Sequence, residues 1–165
     1  FGYIMRNLIL IIFVYIFLKS SAVFAGDFNA ALGNFDFSDK GKRAAMVELT
    51  YGFTEKNVDT NIGLIKPIAG AFMTGDSAGM AFAGFKIDYE LGIFSITPSF
   101  TPGLYSEGNG KDLGHVVEFK SQVNIGLNLG KTSNISAGYS HVSNASLGDK
   151  NPGANSYTFN FSKNF

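Results

Sequence analysis

Most of this chain alternates between apolar and polar residues with a period of two. The final segment shows it most plainly. Tyr157, Phe159, Phe161 and Phe165 share one parity, interrupted by Lys163, while Ser156, Thr158, Asn160, Ser162 and Asn164 share the other. Successive side chains of a strand point to opposite faces, so the pattern predicts a strand with one aromatic face and one polar face. The same split recurs upstream. Ala81, Ala83, Phe85, Ile87, Tyr89 and Leu91 oppose Lys86, Asp88 and Glu90. Val117, Phe119, Val123, Ile125, Leu127 and Leu129 oppose Glu118, Lys120, Gln122, Asn124 and Asn128. Val47, Leu49 and Tyr51 oppose Glu48 and Thr50, and Ile135, Ala137 and Tyr139 oppose Asn134, Ser136 and Ser140. About eight such segments emerge, near 28–37, 42–53, 60–73, 79–91, 93–103, 114–129, 132–143 and 155–165. Pro67, Pro98 and Pro102 remove ladder donors and are expected at bulges or strand ends. Connections near Gly92 and Gly130-Lys131 read as tight, and those at 104–113 and 144–154 as longer loops rich in Gly, Asn and Asp.

The first segment departs from this pattern. Met5-Arg6-Asn7 leads into an unbroken apolar run from Leu8 to Leu18, followed by Lys19-Ser20-Ser21 and then Val23-Phe24-Ala25. A basic start, a short apolar run and a small-residue site are the three parts of a secretory signal peptide. The run is too short to span a bilayer well as a helix. Residues 1–25 are therefore expected to be removed, with Phe1 to Ile4 preceding the only early Met; an uncleaved anchor is the other reading. The remaining domain is 26–165.

Two architectures accommodate such strands. A soluble barrel turns the apolar face inward. A membrane barrel turns it outward to lipid and keeps polar groups in the lumen. Export, charges on the polar parity of adjacent strands, and a terminal Phe165 after an aromatic strand all favour the second. A terminal Phe of this kind resembles the C-terminal signature of bacterial outer-membrane proteins, which hands such barrels to the assembly machinery. The expected fold is all-β: an eight-stranded antiparallel transmembrane β-barrel of the bacterial outer membrane. Closure leaves no unpaired edge in lipid.

Composition narrows the partners. Of 165 residues, 13 are Lys or Arg and 13 are Asp or Glu, so no basic excess points to nucleic acid. There is no Cys, which excludes disulfides and thiolate metal sites, and two His make a His-rich metal site improbable on composition. Neither a metal nor an organic cofactor is indicated. Lumenal charges such as Glu48, Lys86, Asp88, Glu90, Glu118 and Lys120 suggest a transport path, but eight strands enclose too little space for a channel. A paired, structural polar interior is the better reading.

Candidate chemistry lies near the C-terminus. His141 and Ser143 are two apart and share a strand face. A Ser hydroxyl becomes a useful nucleophile when a base removes its proton, and imidazole does so near neutral pH. A His-x-Ser pair alone is more often incidental. Here it stands in Tyr139-Ser140-His141-Val142-Ser143-Asn144-Ala145, followed by Asn151-Pro152-Gly153-Ala154-Asn155-Ser156-Tyr157. These two runs, with Phe119 and Gly126 on the preceding strand, resemble the PagL family of lipid A 3-O-deacylases, also called acyloxyacyl hydrolases. The resemblance is specific over about 115–165 and architectural over 26–114.

The resemblance implies Ser143 as nucleophile and His141 as general base. It puts the family's acidic third residue at Asn155, where this chain has an amide that orients an imidazole but cannot neutralise it. Replacing that acid by an amide in a serine protease costs about 10⁴ in rate, yet papain-like enzymes use an Asn there. Asp149 is a nearby carboxylate, more simply read as a solvated loop residue. Asn144, with backbone N–H groups near Ser146, resembles the family's oxyanion-hole donors; Asn144, Asn151 and Gly153 also suit a plain turn. Parity adds an argument of its own. His141 and Ser143 continue the apolar parity of Ile135, Ala137 and Tyr139, and Asn155 shares that of Tyr157 and Phe159, so all three are expected to face lipid. With a periplasmic N-terminus, the seventh strand ends in the outer leaflet, where the lipid is lipopolysaccharide. The expected activity is serine-type hydrolysis of an ester-linked acyl chain of lipid A, the 3-position being implied by the resemblance. The alternative is a non-catalytic barrel with a structural or adhesive role.

Overall fold

The computed structural model describes residues 26–165, and the leader expected at 1–25 lies outside them. Ten strands follow one another: β1 (Asp27–Phe35), β2 (Ala44–Gly52), β3 (Val58–Thr60), β4 (Gly63–Thr74), β5 (Gly79–Ile87), β6 (Tyr89–Leu91), β7 (Phe94–Ser106), β8 (Val117–Leu129), β9 (Ser133–Ser143) and β10 (Ala154–Asn164). Every pairing is antiparallel. The order β1-β2-β4-β5-β7-β8-β9-β10 returns to β1, whose ladder on β10 runs from Asp27↔Asn164 to Asn34↔Tyr157. This is the expected eight-stranded closed barrel. β3 and β6 are short hairpin additions, paired only with β4 and β7 respectively. No helix among the described residues is long and apolar enough to cross a membrane. The strands do the spanning.

The wall is apolar, as parity requires of a lipid-facing surface. Leu32, Val47, Leu49, Ile125, Leu127, Ile135 and Phe159 all point outward and are exposed. Inside, Asn29, Asn160 and Ser162 form a hydrogen-bonded set, as do Asn134, Ser95 and Asn128. Most lumenal charges are paired, Lys120 with Glu48, Lys86 with Asp27, and Lys66 with Asp88 at 2.9 Å, whereas the buried Glu118 carboxyl has no hydrogen-bond partner among the described residues. A polar cavity of about 310 Å³ lies among Asp27, Glu48, Lys86, Asp88, Gln122 and Asn134. It occupies the end of the barrel where β1 begins and β10 ends.

The lumen is not polar throughout, which corrects the expectation of a wholly polar interior. Toward the opposite end, where β1 ends and β10 begins, Phe35, Met46, Phe72, Ala78, Met80, Phe82, Tyr105, Leu113, Val142 and Ala154 form one buried cluster. Phe35 packs on Phe72 with ring centroids 5.5 Å apart, and on Tyr105 at 6.3 Å. Four connections gather around this plug, at 36–43, 75–78, 107–116 and 144–153. The plug closes the lumen, so the polar cavity is not a through-channel.

The prolines fall inside strands rather than at their ends, but where ladders lapse. β7 pairs continuously with β8 through Pro98↔Val123 and Pro102↔Phe119, whereas its pairing to β5 is interrupted at both prolines. Pro67 follows the same logic: its neighbour Ile68 makes the last pair with β2, opposite Gly52. A proline lacks an N–H toward one neighbour only, so it is tolerated where that neighbour's ladder is already broken.

Candidate active site

The site is built on the ends of β9 and β10 and on the loop after β1. β9 and β10 are consecutive and antiparallel, and their register puts His141 opposite Asn155 and Tyr139 opposite Tyr157. Odd residues of both strands face outward, so His141 and Asn155 lie side by side on the outer wall. Ser143 is two residues beyond His141 on the same face, at the end of β9, and is half-buried. The even residues between them, Val142 and Ala154, point inward into the apolar plug. Tight packing beneath a strand end fixes the groups it carries.

One amide organises this surface. Asn155 Oδ1 lies 2.8 Å from His141 Nδ1 and accepts a hydrogen bond from the Tyr139 hydroxyl at 2.9 Å. An amide oxygen only accepts, so Nδ1 carries the imidazole proton and Nε2 keeps the lone pair. Asn155 Nδ2 donates to Ser38 Oγ at 3.4 Å. The imidazole edge formed by Cε1 and Nε2 lies close against Gly153, a position with φ of 62°. A Cβ built there would stand 2.7 Å from His141 Cε1 and 3.2 Å from Nε2. Gly153 therefore serves two needs at once, a left-handed turn and room for the ring. Ser143 Oγ has no hydrogen-bond partner among the described residues.

The loop from β1 covers the other flank. Phe37 N–H donates to Asn155 O at 2.9 Å, and the Phe37 ring packs against Tyr157 at 5.5 Å and Tyr139 at 6.3 Å. Arg43 Nη2 donates to Phe37 O at 2.5 Å. Toward β8, Ser121 stands opposite His141, and the wall beside Ser143 is aromatic. Phe119 pairs with Ser143 in register and stacks on Phe100 at 6.0 Å, with Phe85 beyond at 6.2 Å from Phe100.

Asn144 is fully buried and its hydrogen-bonding capacity is taken up locally. Its side-chain Nδ2 donates to Leu113 O and Lys150 O, both at 2.8 Å, and its Oδ1 accepts from Ser146 N–H at 2.9 Å. Its own N–H donates to Asn151 Oδ1 at 3.0 Å. Asn144 and Ser146 are thus brought together, as a clasp that holds the 144–153 loop to the 107–116 loop. Between them, Ala145 N–H has no partner among the described residues. Ala145 and Ser146 are both left-handed, with φ of 51° and 65°. Asp149 is exposed and makes no contact with His141. Sequence reasoning passed over Tyr139, Phe37, Ser38 and Asp36. Tyr139 carries a signal, since it shares the parity of His141; the other three lie more than a hundred residues from Asn155 and carry none.

A family model described as "Lipid A 3-O-deacylase (PagL)" matches residues 43–164. Among solved structures, the crystal structure of the outer membrane enzyme PagL superposes with a TM-score of 0.63 at 19% identity, covering 84% of this chain and 99% of that one. A de novo designed transmembrane β-barrel matches at 0.53 with 6% identity, over 85% of this chain and 94% of the design. Neisserial surface protein A matches at 0.50 with 10% identity, over 85% and 96%. These likenesses show the fold. No curated protein matches by sequence.

Proposed function

This chain belongs to the lipid A 3-O-deacylase (PagL) family, and we propose on that footing that it hydrolyses the 3-O-linked acyl ester of lipid A in the outer leaflet by a serine mechanism. The observation that carries the reading is the 2.8 Å contact between His141 Nδ1 and Asn155 Oδ1. It leaves Nε2 basic on a lipid-facing wall, with Ser143 next along the same face.

In this mechanism His141 Nε2 takes the proton from Ser143 Oγ as Oγ attacks the ester carbonyl carbon. The tetrahedral oxyanion meets the turn after Ser143. Ala145 N–H is available there directly; Asn144 and Ser146 join it as oxyanion donors only by exchanging the loop bonds they make at rest. Collapse breaks the ester C–O bond, and His141 returns the proton to the departing 3-hydroxyl oxygen. Water, deprotonated by His141, then releases the fatty acid and restores Ser143. Phe119, Phe100 and Phe85 offer an apolar wall for the acyl chain. At the other terminus of the strands, the exposed Phe165 is proposed as the mark read by the barrel-assembly machinery.

The test is mass spectrometry of lipid A from cells expressing the wild-type protein, Ser143→Ala or His141→Ala, with folding checked by heat-modifiable gel mobility. Wild type is expected to remove one 3-linked acyl chain. Each variant is expected to lose about 10⁴-fold or more in rate while staying folded, because both side chains point away from the plug. Wild-type processing by either variant would remove that residue from the mechanism. The amide at the acid position favours a second reading, a barrel that keeps the fold without turnover. Lipid A of unchanged mass in wild-type cells would select it.

A further inference from the structure

The acid position holds an amide, yet a carboxylate stands behind it. Asp36, just past the end of β1, is 1% exposed and left-handed, with φ of 49°. Its Oδ1 lies 3.4 Å from Asn155 N and 3.4 Å from Ser38 Oγ. Its own N–H points to Ser156 Oγ at 3.4 Å. Its Oδ2 accepts from Lys111 Nζ at 2.7 Å, and that ammonium also lies 3.7 Å from Asp39. Ser38 Oγ in turn accepts from Asn155 Nδ2 at 3.4 Å.

The direction of each link follows from the groups. A carboxylate only accepts, so Ser38 gives its single proton to Asp36 and receives from the Asn155 amide through a lone pair. The amide is left with its oxygen toward His141. The 3.4 Å contacts are longer than optimal hydrogen bonds, so each is weak alone. Together with the 2.9 Å bond from the Tyr139 hydroxyl to Oδ1, they bias the choice between two amide orientations of nearly equal shape. With the amide turned over, its NH₂ would face Nδ1, the ring would hold its proton on Nε2, and His141 could not take one from Ser143. A residue in a strained left-handed conformation persists only where its surroundings fix it; here the clamp is Lys111 on one side and the start of β10 on the other.

We propose that Asp36, acting through Ser38, is a positioning residue that replaces the missing triad acid by fixing the Asn155 amide with its oxygen toward His141. The proposal rests on the His141–Ser143–Asn155 reading of the site. It assigns Asp36 no contact with substrate.

The experiment compares wild type, Ser38→Ala, Asn155→Asp and the double variant Ser38→Ala/Asn155→Asp, all as full-length barrels in detergent micelles. Ser38 is exposed, so its loss leaves the plug untouched. Deacylation of purified lipid A is followed for kcat and KM separately, and the tautomer of His141 is read from ¹⁵N shifts of histidine-labelled protein. Ser38→Ala is expected to lower kcat about tenfold, the scale of one neutral hydrogen bond, with KM unchanged. It is also expected to move His141 from the Nδ1-protonated form to a mixture. In the Asn155→Asp background the same change is expected to cost nothing, because a carboxylate has no wrong way round. An unchanged tautomer on Ser38→Ala overturns the proposal, whether or not the protein turns over. So does an equal kcat loss in both backgrounds, which would mark a structural role. If Ser143→Ala retains deacylation while the tautomer shifts as expected, the serine reading fails and the positioning of His141 stands.

Discussion

At the outer end of β9 and β10 the two faces of the wall exchange their usual chemistry. Over most of the barrel, Ile135, Ala137, Phe159 and Phe161 face lipid and Ser136, Ser140, Thr158 and Asn160 face the lumen. At the rim, Val142 and Ala154 turn inward into the apolar plug, while His141, Ser143 and Asn155 face outward. Both regions obey the same pleat, so the inversion is written in residue type and not in geometry. It has a physical use. In the proposed function, polar groups at this height would meet ester and headgroup and not hydrocarbon, and the plug behind them supplies tight packing. Lower down, the ion pairs of Lys86 with Asp27 and of Lys66 with Asp88 keep a polar interior satisfied but offer nothing to a substrate in the membrane.

The division of labour is sharpest in Phe72, fully buried against Phe35 and Tyr105. Phe72→Ala is expected to cost about 3–5 kcal/mol of barrel stability, read as a lowered urea midpoint in folding from micelles. The rate per folded molecule should stay within a factor of about two, since the Phe72 side chain packs in the plug and the candidate groups face outward. The opposite profile is expected of His141→Ala and Ser143→Ala. A Phe72→Ala barrel that folds normally but has lost its activity would break the comparison, because plug and site would then be one unit.

Much of this was legible in the chain. Period-two alternation fixes which residues face out, and once β9 and β10 are strands the shared face of His141, Ser143 and Asn155 follows. Strand limits moved by a few residues: β7 runs on to Ser106 and β8 begins only at Val117, so the loop expected at 104–113 is 107–116. Side chains around Pro102 and Gly103 favour a break that pairing with β8 overrides. The plug was not legible. Its members come from seven strands and two loops, and parity tells inside from outside without telling polar from apolar packing. Asn144 illustrates a second limit. Its sequence context suits an oxyanion donor and a turn equally, and only closure of the barrel brings Leu113 O within 2.8 Å. Asp36 illustrates a third, since its link to Asn155 exists only because β1 closes on β10.

Gly153 tests whether the outer face depends on backbone shape as well as on polar groups. A methyl at this position meets two penalties. A left-handed conformation costs an L-residue about 1–2 kcal/mol, and the new Cβ would lie 2.7 Å from His141 Cε1. The ring is the freer partner, so it should give way and lose its alignment with Asn155. Gly153→Ala is expected to reduce kcat about tenfold, while stability falls by only the backbone cost. Retained kcat would show that the imidazole has a second productive position.

The smallest effect is expected from the exposed charges that join the two long outer loops. Lys150 pairs with Asp112, and the Gly114 N–H donates to the same carboxylate at 2.7 Å. The Lys150 ammonium, with that N–H, holds the Asp112 carboxyl below its usual range. Its folded value thus lies under its unfolded one of about 3.9. The pair's contribution is present above that value and disappears as pH falls through the lower folded one. Both groups are fully solvated, so the contribution is minor and weakens further with salt. Lys150→Met should therefore leave kcat at wild-type level and flatten only a slight loss of thermal stability below about pH 4. The reason is positional: Asn144 holds the loop through the backbone carbonyl of Lys150, not through its side chain. A several-fold fall in kcat on Lys150→Met would show instead that surface charge, and not the buried amide clasp, sets the turn beside Ser143.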